Sequence, residues 1–333
     1  MKTIVLTGGG TAGHVMPSLA LVPELKKYFD NIFYIGEKGG IEEKLAIEHG
    51  IVFYGTRAVK FKRGVVFENL KIPKLLMDGT KEAEAILKKL SPDVVFAKGG
   101  YVSLPTAFAC RKLKIPLVIH ESDMSLGLAN KVCLPIAKTV LTAYEGVCKK
   151  GICVGNPIRE EIFSGVEKDF AFPQRKPTIL VMGGSKGSLK INQMIKEFID
   201  NLSEFNIVHI VGESPVDIKA KNYRSLKYAS DIQNYYASSD LVITRAGANA
   251  LSELTALGKR VLAIPLPKGA SRGDQIQNAY YYKDKGLVEV LEEENISLST
   301  LKKMIEKLLI EPTREWKKSD VNKRIVEEIR KSI

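Results

Sequence analysis

A chain of 333 residues is longer than one hydrophobic core usually sustains, so two domains are expected. Its hydrophobic content of 45% and charged content of 26% are those of an ordinary folded protein and exclude a disordered one. A formal net charge of +12 suits phosphate-bearing partners or an anionic membrane surface; no aromatics interleave with the lysines as single-strand platforms require, so no nucleic-acid partner is expected.

The chain opens on TIVLTGGGTAGHVMP, Thr3 to Pro17. Ile4, Val5 and Leu6 read as a strand buried on both faces of a parallel sheet. Gly8, Gly9, Gly10 and Gly13 then let the backbone turn sharply and approach a ligand. A helix expected from about Val15 to Tyr28 aims its unpaired N–H groups over that turn, where an anion belongs. Taken alone, Gly8, Gly10 and Gly13 also satisfy the G-x-G-x-x-G dinucleotide fingerprint, with Glu37 where a ribose-binding acid would stand.

Further strands are expected at Ile32 to Ile35, Ile51 to Tyr54, Asp93 to Ala97, Pro116 to His120 and Thr139 to Leu141, separated mostly by helical patterns. Strand alternating with helix means a parallel, doubly wound sheet. Past Pro157 a second series begins with TILVMGGSKGSLKIN, Thr178 to Asn192, another apolar strand running into glycines. Strands follow at Ile207 to Val211, Leu241 to Thr244, Val261 to Ile264 and Leu287 to Val290, and the pattern from Leu298 onward is helical. Domains are therefore expected over residues 1–158 and 159–313, with residues 314–333 a helix packing across them. A dehydrogenase would explain the first glycine turn and Glu37, but not the second turn.

Ligands of open α/β sheets lie beyond the carboxyl ends of the strands. His14, Tyr101, Glu121, Ser185 and Arg245 all follow strands and are candidates on that ground. His14 and Glu121 are candidate acid or base groups, and imidazole, with its ordinary value of about 6.5, needs little tuning to act near neutrality. RAGANALSE puts Glu253 on the helix after a strand, where a carboxylate can accept two ribose hydroxyls; GDQIQNA offers Gln275 and Asn278 as neutral amides for sugar hydroxyls. No D-x-D or H-E-x-x-H metal motif occurs, and Cys110, Cys133, Cys148 and Cys153 lack C-x-x-C spacing, so neither metal nor disulfides are expected and a reducing cytosol fits. No apolar run has the form of a signal peptide or the length of a membrane span.

In this order and at suitable separations, GGGTAGHVMP, KGGYVSLP, HESD, GNPIR, GGSKGSLKIN, RAGANALSE and DQIQNA resemble the MurG N-acetylglucosaminyltransferase family of peptidoglycan synthesis, over nearly the whole chain. The resemblance implies an α/β fold of two facing Rossmann-like domains with parallel sheets, the GT-B arrangement, the C-terminal helix returning to the N-terminal domain. It implies inverting transfer of N-acetylglucosamine from UDP-GlcNAc to the C4 hydroxyl of the muramyl pentapeptide on undecaprenyl pyrophosphate, without a cofactor.

Carried onto this sequence, it sets Thr11, Ala12 and Gly13 at the diphosphate region and Arg159 and Ser185 on the nucleotide diphosphate. Ala248, Asn249, Ala250, Leu251, Ser252 and Glu253 border the nucleotide, and Ala229 stands beside the uracil. Gln275 and Asn278 hold the transferred sugar, while Tyr101, Glu121 and Asn192 shape the acceptor side. Two positions depart from the family pattern: HESD replaces H-E-Q-N, putting Asp123 where an asparagine meets the donor sugar, and Lys186 replaces a glutamine. A GT-B enzyme acting on a diacylglycerol lipid is the alternative. An acceptor on a polyprenyl anchor places the enzyme at the cytoplasmic face of the membrane, and the basic, apolar segment Lys60 to Met77 is the expected contact with anionic lipid.

Overall fold

The computed structural model describes residues 1–59, 72–184, 186–269, 273–312 and 320–333. The chain divides into unit 1, Met1–Arg159 with Asp320–Ile333, and unit 2, Glu160–Ser319. Residues 60–71 of the expected membrane segment lie outside the described residues, Lys60, Lys62 and Arg63 among them; Lys74 and Met77, at the start of the helix Ile72–Leu90, are exposed. Among the described residues no helix is long and apolar enough to cross a membrane.

Unit 1 holds β1 (Thr3–Thr7), β2 (Asn31–Glu37), β3 (Val52–Thr56), β4 (Val94–Ala97), β5 (Leu117–Glu121), β6 (Thr139–Thr142) and β7 (Gly151–Cys153) in the order β3-β2-β1-β4-β5-β6-β7. All neighbours are parallel. Successive side chains of a strand point to opposite faces. Ile4 and Leu6 of β1 accordingly join one core with Leu25 and Phe96, and Val5 joins another with Ile35, Ala97 and Ile119. This burial on both faces explains the uninterrupted apolar runs of the central strands.

The first helix covers Ala12–Leu19 and a separate turn follows at Val22–Leu25, where one helix over Val15 to Tyr28 is expected from the sequence. Pro23 has no N–H to donate to Leu19, so the ladder breaks there. In the helix Val321–Arg330, Val321, Ile325, Val326 and Ile329 fall on one face and complete the core that contains Ile4 and Leu6. Asn322 fixes it, its Nδ2 donating to Ala20 O at 3.2 Å and Ile158 O at 2.7 Å while its Oδ1 accepts from Ile158 N at 3.0 Å.

Unit 2 holds β8 (Thr178–Met182), β9 (Asn206–Ile210), β10 (Tyr223–Leu226), β11 (Leu241–Thr244), β12 (Arg260–Ala263) and β13 (Glu289–Val290), all parallel, in the order β10-β9-β8-β11-β12-β13. His209 of β9 is fully buried, between Tyr223 Oη at 3.0 Å from its Nδ1 and Asn192 Oδ1 at 3.1 Å from its Nε2. Burial pushes its pKa from 6.5 down to about 4. A group whose folded pKa is depressed stabilises the fold above its unfolded pKa, and that contribution, on the order of 3 kcal/mol, is lost as pH falls from about 6.5 to about 4. Unit 2 is therefore expected to lose denaturant resistance over this window, and His209→Gln to flatten the loss; an unchanged acid limb in that variant would assign the loss to other groups.

Candidate functional site

In each sheet the strand order reverses once, between β1 and β4 in unit 1 and between β8 and β11 in unit 2. The crevice outside the carboxyl ends of such strands is where open α/β sheets bind ligands. Both glycine turns leave a strand at such a point.

In unit 1 the turn after β1 meets the turn after β4 through Gly9 N donating to Gly99 O at 3.3 Å. Glu42, fully buried at the start of the helix Ile41–Glu48, sends its carboxylate into the turn, where Oε2 accepts from Gly10 N at 3.2 Å and Oε1 from Glu37 N at 2.9 Å. A β-carbon at Gly9 would lie 2.5 Å from that carboxylate, so the glycine is required for the approach. The anion expected over this turn is thus partly internal: the Gly10 N–H serves Glu42. Tyr101 Oη donates to Glu37 Oε2 at 2.6 Å, which commits the acid that a dinucleotide reading would place on a ribose. Burial and Glu37 both push the phenol's pKa up.

Thr11, extended, precedes the helix Ala12–Leu19; Thr11 and Gly13 are exposed, and Ala12 and His14 half-buried. Thr11 Oγ1 and His14 Nδ1 lie 2.9 Å apart. Glu121, at the end of β5, is buried with both oxygens engaged: Oε1 accepts from Ser122 N at 2.9 Å and Asp123 N at 3.1 Å, Oε2 from Gly127 N at 2.8 Å and Asn130 Nδ2 at 2.9 Å. Four donors on one carboxylate tie it to the 122–130 turn.

Two residues that the sequence did not single out stand out here. Glu42 is one; the signal for it is the cluster of glycines at 36, 39 and 40 ahead of it. The other is Lys98, directly after the wholly apolar β4 and only 2% exposed. Its Nζ donates to His120 Nδ1 at 2.8 Å and to Ser122 Oγ, and His120 Nε2–H donates to Gly155 O at 2.8 Å. Burial and the neighbouring Lys98 push the His120 pKa down, so the imidazole is neutral. Burial lowers the Lys98 ammonium from 10.5 to about 8, against the pull of Glu121 and Asp123. Keeping a charge there costs about 3 kcal/mol.

In unit 2 the turn after β8 runs through Gly183, Gly184 and Gly187 to Ser188, which caps the helix Leu189–Phe198; Ser185 lies outside the described residues. A β-carbon at Gly187, where φ is +81°, would fall 2.2 Å from Val211 O. Arg245, buried after β11, stitches the surrounding turns: Nε and Nη2 donate to Ser188 Oγ at 3.1 and 2.7 Å, Nη1 to Ile264 O at 3.1 Å, and the guanidinium pairs with Glu293.

The helix Ala248–Ala256 starts from Gly247 at this end of the sheet. Ala248, Leu251, Ser252 and Glu253 are buried on it, and Asn249 and Ala250 half-buried. Ser252 Oγ donates to Ala248 O at 2.8 Å and meets Tyr282 Oη at 2.9 Å. Gln275, half-buried, accepts Leu266 N on Oε1 at 3.0 Å, which turns its NH₂ away from that strand end. Asn278 is fully buried and donates to Ala246 O at 3.4 Å, tying its helix to the turn after β11. Asn192 is likewise buried, its Nδ2 donating to Val211 O at 3.0 Å and Ser214 O at 2.8 Å and its Oδ1 facing His209, so this amide braces the segment after β9. Ala229 is buried beyond β10 and Arg159, half-buried, ends the first segment of unit 1. Among the described residues no group of three or more His, Cys, Asp or Glu stands together to hold a metal ion.

Comparison with known proteins matches residues 4–142 to the glycosyltransferase family 28 N-terminal domain and residues 178–333 to the glycosyltransferase family 28 C-terminal domain. A Lachnoclostridium phytofermentans protein described as UDP-N-acetylglucosamine–N-acetylmuramyl-(pentapeptide) pyrophosphoryl-undecaprenol N-acetylglucosamine transferase is 42% identical over 90% of this chain and 89% of its own. A Bacillus cereus protein described as transferase 2 of the same kind is 41% identical over 92% of each chain. Among solved structures, that of Acinetobacter baumannii MurG superposes with a TM-score of 0.76 over 99% of this chain and 100% of its own, at 24% identity.

Proposed function

The chain belongs to glycosyltransferase family 28 and, within it, to the MurG-type N-acetylglucosaminyltransferases, and from this premise we propose how its residues divide the work of making lipid II from lipid I. UDP-GlcNAc is the donor and the undecaprenyl-linked muramyl pentapeptide the acceptor. Unit 2 binds the donor and unit 1 the acceptor. The observation that carries this division is the pair of glycine turns, each at a switch point, with a histidine opening the helix after the first.

The acceptor C4 hydroxyl attacks the anomeric carbon as the bond from that carbon to the UDP oxygen breaks, which inverts the centre in one displacement. His14 takes the hydroxyl proton. With Nδ1–H donating to Thr11 Oγ1, the Nε2 lone pair becomes the base, and Thr11 fixes the tautomer. UDP departs with its charge met by the helix N-terminus at Ala248 and by Ser185. Glu253 accepts the ribose hydroxyls, Ala229 borders the uracil, and the NH₂ of Gln275 holds the sugar. Glu121 shapes the turn that carries Asp123, and Tyr101, held by Glu37, borders the acceptor. Asn192 and Asn278 act from within unit 2 by positioning its strand ends.

A polyprenyl carrier keeps the acceptor at the bilayer, so the enzyme works as a peripheral protein on the anionic cytoplasmic surface; the net charge of +12 supports this. Incubation with labelled UDP-GlcNAc and a muramyl-pentapeptide lipid is expected to give labelled lipid and UDP, and Glu253→Ala to weaken UDP-GlcNAc binding by about ten- to a hundredfold. Wild-type protein that leaves the lipid unlabelled overturns the transfer; unchanged affinity in the variant removes Glu253 from the donor site.

A further inference from the structure

We infer that Glu42 is the built-in anion of the first glycine turn: its carboxylate stands where a dinucleotide-binding fold holds a ligand's phosphate, and it positions the backbone that leads into Thr11 and His14. The occupancy stands on unit 1 alone; its kinetic consequence rests on the transferase reading above.

In a dinucleotide-binding fold the turn after the first strand keeps its N–H groups for a pyrophosphate, and an acid at the end of the second strand accepts the ribose hydroxyls. Unit 1 fills both places from its own chain. Gly9 N donates to Gly99 O at 3.3 Å and Gly10 N to Glu42 Oε2 at 3.2 Å, while the Gly8 carbonyl accepts from Tyr34 Oη at 2.7 Å. Glu37, the acid at the end of β2, takes the Tyr101 hydroxyl at 2.6 Å as it would take one from a ribose.

The carboxylate is fitted closely. A β-carbon at Gly36 would lie 2.5 Å from Glu42 Cγ and one at Gly40 2.6 Å from its Oε1, as one at Gly9 would meet the carboxylate itself. A β-carbon at Gly10, where φ is +83°, would lie 2.6 Å from the Tyr101 ring. Glu42 is wholly buried, and its two oxygens take N–H groups from two strand ends, Gly10 after β1 and Glu37 on β2. It thereby ties β2 to the residue directly before Thr11, whose hydroxyl meets His14 Nδ1. With the N–H groups of Gly9 and Gly10 both spent inside the unit, a diphosphate brought to this turn has to be met by residues beyond Gly10.

The test exploits the size of the group: Glu42→Ala deletes a methylene and a carboxylate, which acetate reproduces. In the full-length protein the amide resonances of Gly10 and Glu37 are followed as acetate is added to wild type and Glu42→Ala, with chloride at matched ionic strength as the control. In Glu42→Ala, acetate is expected to shift both amides saturably and to recover most of a kcat loss of about ten- to a hundredfold; wild type should respond in neither way. Glu42→Gln keeps the volume but can accept through one oxygen only and turns an NH₂ towards the other N–H, so one of the two amides should exchange with solvent about tenfold faster. Amides in Glu42→Ala that ignore acetate, or a kcat loss that acetate leaves in place, overturn the inference. Should Glu42→Ala fail to fold, exchange in Glu42→Gln decides alone, and unchanged protection of both amides overturns it. Wild-type protein inactive on the lipid would instead count against the transferase reading, and the amide shifts would still decide whether Glu42 fills the turn.

Discussion

Replacing His14 with alanine is expected to lower kcat by about two to four orders of magnitude while UDP affinity stays within a factor of about two. His14 sits in the first turn of the helix Ala12–Leu19, past the glycines and beside the exposed Thr11. It belongs to unit 1, and the nucleotide is assigned to unit 2. Removing a general base takes away an interaction made as the proton moves, so the loss appears in turnover and not in ground-state binding. Thr11→Val is expected to give a smaller kcat loss of the same kind, because it removes the hydroxyl that meets Nδ1 and helps set the tautomer. Stopped-flow or label-transfer kinetics beside calorimetric titration of UDP will separate the two quantities. Parallel losses in both would reduce His14 to a structural part of the turn.

The second large effect is on stability. Arg245→Ala is expected to cost unit 2 about 3 to 5 kcal/mol, the usual result of removing one partner from a buried pair. Its guanidinium satisfies Ser188, the Ile264 carbonyl and Glu293 together, so truncation leaves a carboxylate and a carbonyl without their donor. Glu293→Gln added to Arg245→Ala should restore a part, since the stranded charge is then gone. Urea titration of the three proteins is the measurement; a loss below about 1 kcal/mol for Arg245→Ala would mean that water replaces the guanidinium freely.

The central strands were legible because burial on both faces demands unbroken apolar runs, and TIVLT and TILVM carry the glycines that end them. β7 and β10 were not. Each is a short edge strand, and Arg224 and Ser225 in β10 give no apolar run to read. The site was legible as a set of places more than as a set of contacts. Sequence put Glu121, Asn192 and Asn278 at strand ends and in helices near the switch points, but a carboxylate or an amide at such a place can face a ligand or a backbone, and only the fold shows the backbone groups that each of them bonds. Lys98 escaped notice for a related reason: a lysine after a strand usually reaches solvent, and this one is turned inward by His120 and Ser122.

The helix Val321–Arg330 has a consequence for the order in which the protein matures. Its four apolar residues close the core containing Ile4, Leu6 and Phe96, yet the whole of Glu160–Ser319 is translated between the two. At ribosomal rates of about 5–20 residues per second, the second domain has all its strands in hand several seconds before the first can cover one wall of its sheet. The nascent N-terminal half therefore waits with an apolar face open to chaperones or to other chains, and the part synthesised first is the part finished last.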